Sequence, residues 1–417
     1  MKILAISAYY EPEIAASMYI CKNLYEDMAA AGMDVVLYTP SPTRGVDDAT
    51  RERYSRLKSE SKFGGRLTIQ RVGMFREGRH PLLRAIRYVL LNLVFIFKIL
   101  PVRGDVLFVQ STPPTQGAMA AVLKKLKRIP FVYNVQDIFP DSLVAAKLTT
   151  RNSWLWKVGR LLENFTYRNA DKIIVISEGF KRNLMDKGVP EAKIAVVRNW
   201  VDEINVYPIA RKENKLFDKY ALDRNRFYIT YCGNIGLNQN MDLLIEVAEE
   251  FSFDERISFV MIGDGAYRPV MEKVVAGKAL KNVHFLPFQP YEDIAHVFSL
   301  GDVGLVISNA GTGSSSVPSK TWSIMAAQRA VIASFDLGSE LDHVISNSKC
   351  GVCVPADDKR ALVVAIMDMI NNEKLTHQYA TNGRRYVVEE LSRASGTLQY
   401  VQCIADAVAD SSSKVKS

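Results

Sequence analysis

The sequence predicts an α/β protein of two doubly wound, Rossmann-like domains with parallel sheets and a C-terminal helix crossing back. Three observations predict it. Short β-branched runs are each followed by a loop and a helical stretch, the alternation that builds parallel sheets covered by helices. This alternation stops near residue 200 and then restarts. The 417 residues also exceed what one hydrophobic core sustains, ~250–300 residues, so the restart reads as a second domain. With 48% hydrophobic and 24% charged residues, the chain has ample core and lacks the polar profile of a disordered protein.

In order, the first domain offers strands at 2–8, 34–39, 105–109, 129–133, 172–176 and 193–197; the second offers 228–232, 257–262, 282–286, 303–307, 330–334 and 351–354. The tail from 410 is polar and rich in Ser and Lys, and is expected to be disordered. In open α/β sheets ligands bind beyond the carboxyl ends of the strands, so the loops there are where chemistry belongs. After the first strand, Tyr10-Glu11-Pro12-Glu13-Ile14-Ala15-Ala16-Ser17 brings small residues to a helix start; later come Ser111-Thr112-Pro113-Pro114 and Gln136-Asp137-Ile138-Phe139-Pro140-Asp141. In the second domain, Gly233-Asn234-Ile235-Gly236 and Gly263-Asp264-Gly265 are turns whose N–H groups could face a phosphate, with Arg268 adding a cation. Such glycines also serve as plain connectors. The stretch from Gly311 through Ser314, Ser315, Ser316 and Ser319 to Lys320 is more distinctive: hydroxyls, backbone N–H groups and one ammonium can converge there on a diphosphate.

Two competing motifs fail. A GxxxxGK[ST] loop laid over 314–321 finds serines at both glycine positions and Pro318 inside it, and no GxGxxG follows the first strand, where Tyr9 and Tyr10 stand. An ATPase and a dinucleotide-dependent dehydrogenase are thereby disfavoured. Cys350-Gly-Val-Cys353 lies in an apolar run with neither a second pair nor a His nearby, and reads as strand.

Charge divides unevenly. Residues 1–200 hold 31 Lys and Arg against 18 Asp and Glu, while 201–417 hold 22 against 27, so the basic partner site belongs to the first half. The densest stretch, 51–100, holds 12 basic and 3 acidic residues, which suits phosphates, anionic lipid or nucleic acid. There the run from Tyr88 to Phe97 is about half the ~20 residues a spanning helix needs. It is either a buried helix with charged ends or an interfacial helix on an anionic membrane, with Arg84, Arg87, Leu90, Phe95 and Phe97 at the surface. The apolar run fits lipid better than nucleic acid. Without an apolar leader after Met1, the expected location is the cytoplasm.

The segments KILAISAYYEPE, STPPT, QDIFPDS, NADKIIVISEGFKRNL, VVRNWVD, YCGNIGLNQNMDLLIE, VMIGDGAYRPVME, VHFLPFQPYED and SVPSKTWSIMAA follow one another from the first residues to Ala327. As a set they resemble the retaining, nucleotide-sugar-dependent glycosyltransferases of family four. Among these they look most like the WbuB-like enzymes of bacterial surface polysaccharides, O antigen and capsule. The resemblance implies a GT-B fold of two facing Rossmann-like domains, with the acceptor in 1–200, the donor in 201–388, and 389–417 as the returning helix and tail. It implies a UDP-sugar donor, an N-acetylated or deoxy sugar, no cofactor and no metal. The acceptor would be a polyprenyl-diphosphate-linked sugar at the anionic inner face of the cell membrane.

On that resemblance Lys320 would neutralise the leaving diphosphate, with Gly233, Asn234, Gly236, Gly265, Arg268, Ser314, Ser315, Ser316, Ser319 and Ser323 around the donor. Asp137 and Asp141 would orient or deprotonate the acceptor hydroxyl, or merely cap helices; Glu13, Ala15, Ala16, Ser17 and Thr112 would meet the acceptor. The chain departs from the family where two glutamates are usual and Ser315 and Ser323 stand, where Arg and Lys are usual and Asn234 and Gln239 stand, and at Gln136 for His and Gln328 for Gly. A carboxylate on the nucleotide ribose contributes about 1.5–3 kcal/mol. Its loss leaves a second reading, a catalytically degenerate scaffold of a polysaccharide-assembly complex.

Overall fold

Strands buried on both faces read as unbroken apolar runs, and most strands of both sheets are of this kind. The computed structural model describes residues 1–13, 18–43, 46–76, 81–145, 149–236, 239–313 and 317–416. Its chain divides into two units, Met1–Arg198 with Gly396–Ser417, and Asn199–Ser395.

The first unit holds β1 (Lys2–Ile6), β2 (Asp34–Pro40), β3 (Ser59–Lys62), β4 (Leu67–Val72), β5 (Val106–Gln110), β6 (Phe131–Val135), β7 (Lys172–Val175) and β8 (Ile194–Val196), in the order β3-β4-β2-β1-β5-β6-β7-β8. All pairs are parallel except β3 with β4. That hairpin lies inside the stretch read only as basic surface. Its strand Ser59–Lys62 is wholly polar, and the signal was the Gly64-Gly65 turn ahead of alternating Leu67 and Ile69.

Helices α1 (Met18–Ala30), α2 (Asp48–Arg56), α3 (Pro81–Ile99), α4 (Thr115–Lys127), α5 (Asp141–Ala145), α6 (Trp154–Asn169) and α7 (Glu178–Asp186) connect these strands. Right-handed crossovers put α3, α4 and α6 on one side of the sheet and α1 on the other. Accordingly α3 packs on α4, and α4 on α6. The order reverses between β1 and β5, so the loops that follow these two strands flank this unit's binding crevice.

The second unit holds β9 (Phe227–Cys232), β10 (Ile257–Ile262), β11 (Val283–Leu286), β12 (Val303–Ile307), β13 (Ala330–Phe335) and β14 (Gly351–Pro355), all parallel, in the order β11-β10-β9-β12-β13-β14. Its helices are α8 (Leu216–Lys219), α9 (Met241–Glu250), α10 (Arg268–Gly277), α11 (Ile294–Phe298), α12 (Lys320–Ala326), α13 (Glu340–Ser348), α14 (Lys359–Asn371) and α15 (Glu373–Glu390). Alternate residues of β9 feed two apolar layers: Tyr228 and Cys232 join Trp322 and Leu341, while Ile229 and Tyr231 join Leu244 and Ile366. Here the order reverses between β9 and β12. This unit reaches beyond residue 388 because Val387 and Leu391 sit in its core, and Val201 donates to the Leu391 carbonyl at 3.2 Å.

The last helix, α16 (Arg393–Lys416), adds its length from Gly396 to the first unit. Thr397 Oγ1 donates to Asp27 of α1 at 2.9 Å, and the Tyr400 ring meets Phe108 edge-on, 6.0 Å between centroids. The Tyr400 hydroxyl donates to Asn134 at 3.0 Å and accepts from Gln136 at 3.2 Å. The tail expected to be disordered instead continues this helix to Lys416. Ser412 and Ser413 hydroxyls bond back to the carbonyls of Val408 and Asp410, which lets serine sit in a helix.

Candidate functional site

In the second unit the topological reversal brings the loop after β9 and the start of α12 together, and Lys320 lies between them. Its Nζ stands 3.8 Å from the centroid of the Tyr231 ring and 3.4 Å from where a side chain at Gly233 would begin. Tyr231 is itself fixed, its hydroxyl donating to the Asn234 carbonyl at 2.6 Å. Among the described residues no carboxylate pairs with Lys320. Burial therefore dominates and lowers its pKa to about 8. A half-buried ammonium over an aromatic face, without a counter-charge, is a ready partner for an anion.

The glycine turns beside it bond within the protein. The Gly233 N–H donates to the Ile262 carbonyl at 2.9 Å, the Gly236 N–H to Gln239 Oε1 at 3.0 Å, and the Gly265 N–H to Asp264 at 2.8 Å. All three donors are spent inside the protein. What requires glycine is the close approach of two loops: a side chain on Gly263 would start 1.9 Å from the Gly233 carbonyl oxygen, and one on Gly265 2.2 Å from that of Ile235. Asn234 is held by the same Gln239 at 3.4 Å. Gln239, expected only as a missing cation, is the residue that closes this turn.

Arg268 is likewise committed. It donates to the carbonyls of Gly263 at 2.6 Å and Leu286 at 3.1 Å and pairs with Glu272 at 2.8 Å, so it ties two strand ends. Ser319 is exposed at the start of α12 and Ser323 is half-buried within it. Ser314, Ser315 and Ser316 lie outside the described residues. The loop that carries them is anchored by a residue the sequence did not single out: Asp336, just past β13, accepts from the N–H groups of Gly311 at 2.9 Å and Gly313 at 2.7 Å. Gln328 occupies a left-handed position, φ +54°, where the family's glycine would be unstrained.

In the first unit Glu13 is buried and accepts from the Thr43 N–H at 2.8 Å, joining the loop after β1 to that after β2. Thr112 is exposed beside cis-Pro113; Ala15, Ala16 and Ser17 lie outside the described residues. Past β2 and β4 is a cavity of about 640 Å³ lined by Thr43, Arg51, Gly73 and Arg76 among others.

Asp137 and Asp141, paired by the sequence, part company. Asp137 stays open to solvent, and protein packed around it raises its pKa by desolvation, against hydrogen bonds from Ser142 and the Ile138 N–H. Such a carboxylate suits proton transfer. For Asp141 burial acts upward too, but Lys187 at 2.8 Å and Asn183 at 3.1 Å hold its carboxyl below the ordinary aspartate range. Lys187 also meets Glu163 at 2.8 Å, which accepts from Tyr167 at 2.8 Å and pairs with Arg160. Asp141 is thus a structural anchor, and Asp141→Asn should lower stability by about 1–3 kcal/mol in urea unfolding at pH 7. A group with a depressed pKa stabilises above its unfolded pKa, ~3.9, and loses that contribution as pH falls through its folded value, so wild type and variant should converge in acid.

The expected membrane residues of α3 also divide. Leu91, Phe95 and Ile99 form its buried stripe at four-residue spacing. Arg87 is on it too, donating to the Phe75 carbonyl at 3.0 Å and to Thr43 at 3.3 Å. Arg87 and Phe95 therefore face the core. Arg84, Leu90 and Phe97 are exposed.

Comparisons with known proteins agree with this architecture. The glycosyl transferase 4-like domain family matches residues 19–200, and the glycosyl transferases group 1 family matches residues 212–386. The putative colanic acid biosynthesis glycosyl transferase WcaI of Escherichia coli is 25% identical over 97% of this chain and 100% of its own length. The probable glycosyltransferase WbjE of Pseudomonas aeruginosa is 25% identical over 62% of this chain and 64% of its own. Among solved structures, Anabaena HepE in complex with UDP aligns with a TM-score of 0.72 at 14% identity, covering 97% of this chain and 100% of that one.

Proposed function

The chain belongs to the glycosyltransferases of family four, built on the GT-B fold, and from that premise we propose that it is a retaining transferase moving a sugar from a UDP-sugar to a lipid-linked glycan precursor. The observation that carries the donor half is the half-buried ammonium of Lys320 at the β9/β12 reversal, which no carboxylate pairs among the described residues. In the reaction the acceptor oxygen bonds to the anomeric carbon on the face from which the diphosphate leaves. The acceptor's proton passes to the departing diphosphate oxygen, whose charge Lys320 offsets as it develops. Asp137 orients the acceptor hydroxyl. The basic bias of residues 1–200 supports an anionic acceptor such as a polyprenyl-diphosphate-linked sugar, and the UDP in the HepE crystal supports the choice of nucleotide.

Incubation with a panel of UDP-sugars and a polyprenyl-diphosphate-linked sugar should release UDP only when both substrates are present. The alternative, a degenerate scaffold, is favoured by one observation, the Gly233 and Gly236 N–H groups of the first donor turn being spent on the Ile262 carbonyl and on Gln239. Absence of both turnover and UDP binding would establish it over the transferase.

A further inference from the structure

We propose that the outer helical face of the first unit, formed jointly by α3, α4 and α6, docks on an anionic phospholipid bilayer, with α6 inserting alongside α3. The inference extends the lipid-linked acceptor reading and rests on it only for the choice of a membrane as occupant. A water-soluble surface normally scatters its large apolar side chains. Here they gather on three adjacent helices. Phe97 of α3 is 75% exposed, Trp154 and Leu161 of α6 are 75% and 69% exposed, and Leu126 of α4 is 57% exposed. These helices form one layer. Lys127 of α4 donates to the carbonyls of Leu100 and Val102, just past α3, at 3.1 and 2.6 Å, and Lys125 of α4 stands 5.5 Å over the Phe165 ring of α6.

Charge selects the occupant. Within the three helices the only carboxylate is Glu163, which is buried and bound by Lys187 and Tyr167. The exposed charges at the edges include the cations Lys98, Arg103, Lys157 and Arg168, and one anion, Asp105 just before β5, which accepts from the Lys2 N–H at 2.6 Å. Apolar side chains framed by cations, with no exposed anion among these helices, match the headgroup layer of an anionic membrane. The arrangement holds the protein at the surface: among the described residues no helix is long and apolar enough to cross a bilayer.

Flotation of the full-length protein with phosphatidylcholine vesicles, with and without phosphatidylglycerol, tests this. Wild type should float with the anionic vesicles and release as salt rises. Trp154→Glu combined with Leu161→Glu, on α6 alone, should lower the bound fraction at least ~10-fold, as should Phe97→Glu; Trp154→Phe should retain it. UDP affinity, measured in parallel by calorimetry, should stay unchanged, which separates loss of docking from loss of fold. Failure of UDP binding in wild type would sink the donor reading without touching this one. Equal flotation of wild type and the α6 double variant would overturn the proposal. So would a dimer in sedimentation that the double variant converts to monomer without wild type ever floating, since a second copy would then be the occupant.

Discussion

Lys320→Ala should lower turnover by about 10²–10³-fold, the usual effect of removing one preorganised group that meets charge developing in a transition state. Arg268, the other cation of these loops that the sequence offered, is tied to two backbone carbonyls and Glu272. A pH signature separates this role from a structural one. With its pKa near 8 in the unliganded protein, Lys320 is charged at neutrality and loses its proton a little above it. A bound diphosphate favours the charged form and raises that pKa. UDP affinity should therefore fall up to tenfold per pH unit above about 8, with proton uptake on binding. Calorimetry in buffers of different ionisation enthalpy reads both, and the alanine variant should show neither. Stability of the unliganded protein has the opposite sign. The folded state holds this proton less tightly than the unfolded chain, so stability should rise with pH between about 8 and ~10.4. A UDP affinity flat across this range in wild type would remove Lys320 from the donor site.

Gly263→Ala should be the most damaging single methyl in the second unit's loops. At φ +150° the residue sits where L side chains rarely go, and the added carbon would lie 1.9 Å from the Gly233 oxygen. Backbone strain of ~1–3 kcal/mol and overpacking of ~1–3 kcal/mol both apply, giving about 2–6 kcal/mol. The loops after β9 and β10 can relieve the clash only by separating, which moves Gly233 away from Lys320. Thermal melts and UDP binding should both weaken. A variant with wild-type melting but lost UDP binding would show the loop rearranging at little cost. One with both properties intact would refute the close-packing argument.

What was legible in the sequence followed from burial. Strands such as β1, β9 and β12, covered on both faces, could be read because their apolar runs need no partner to be recognised. The β3–β4 hairpin could not, because Ser59–Lys62 is a polar edge whose identity depends on pairing with Leu67–Val72. The candidate site divides in the same way. Lys320 stood out as the one ammonium at the end of a small-residue loop. The aromatic face beneath it did not, because Tyr231 is a strand residue brought there by the β9–β12 adjacency. The glycine turns were legible as turns, but the fate of their N–H groups depends on pairing across loops that spacing does not reveal. The same holds for Arg87 and Phe95, which share α3 with exposed neighbours and differ from them only in helical phase.

The placement of α16 also orders events during synthesis. The first unit's sheet ends at Val196, yet Tyr400, which holds Asn134 and Gln136, belongs to the last helix of the chain. At roughly 5–20 residues per second, ~10–40 s separate translation of the sheet from translation of Tyr400. During that interval the loop bearing Gln136 and Asp137 lacks its anchor, while the second unit is made and can fold. The unit whose translation begins first is thus the one finished last, its Gln136 loop unanchored until Tyr400 has been made and has cleared the ribosome.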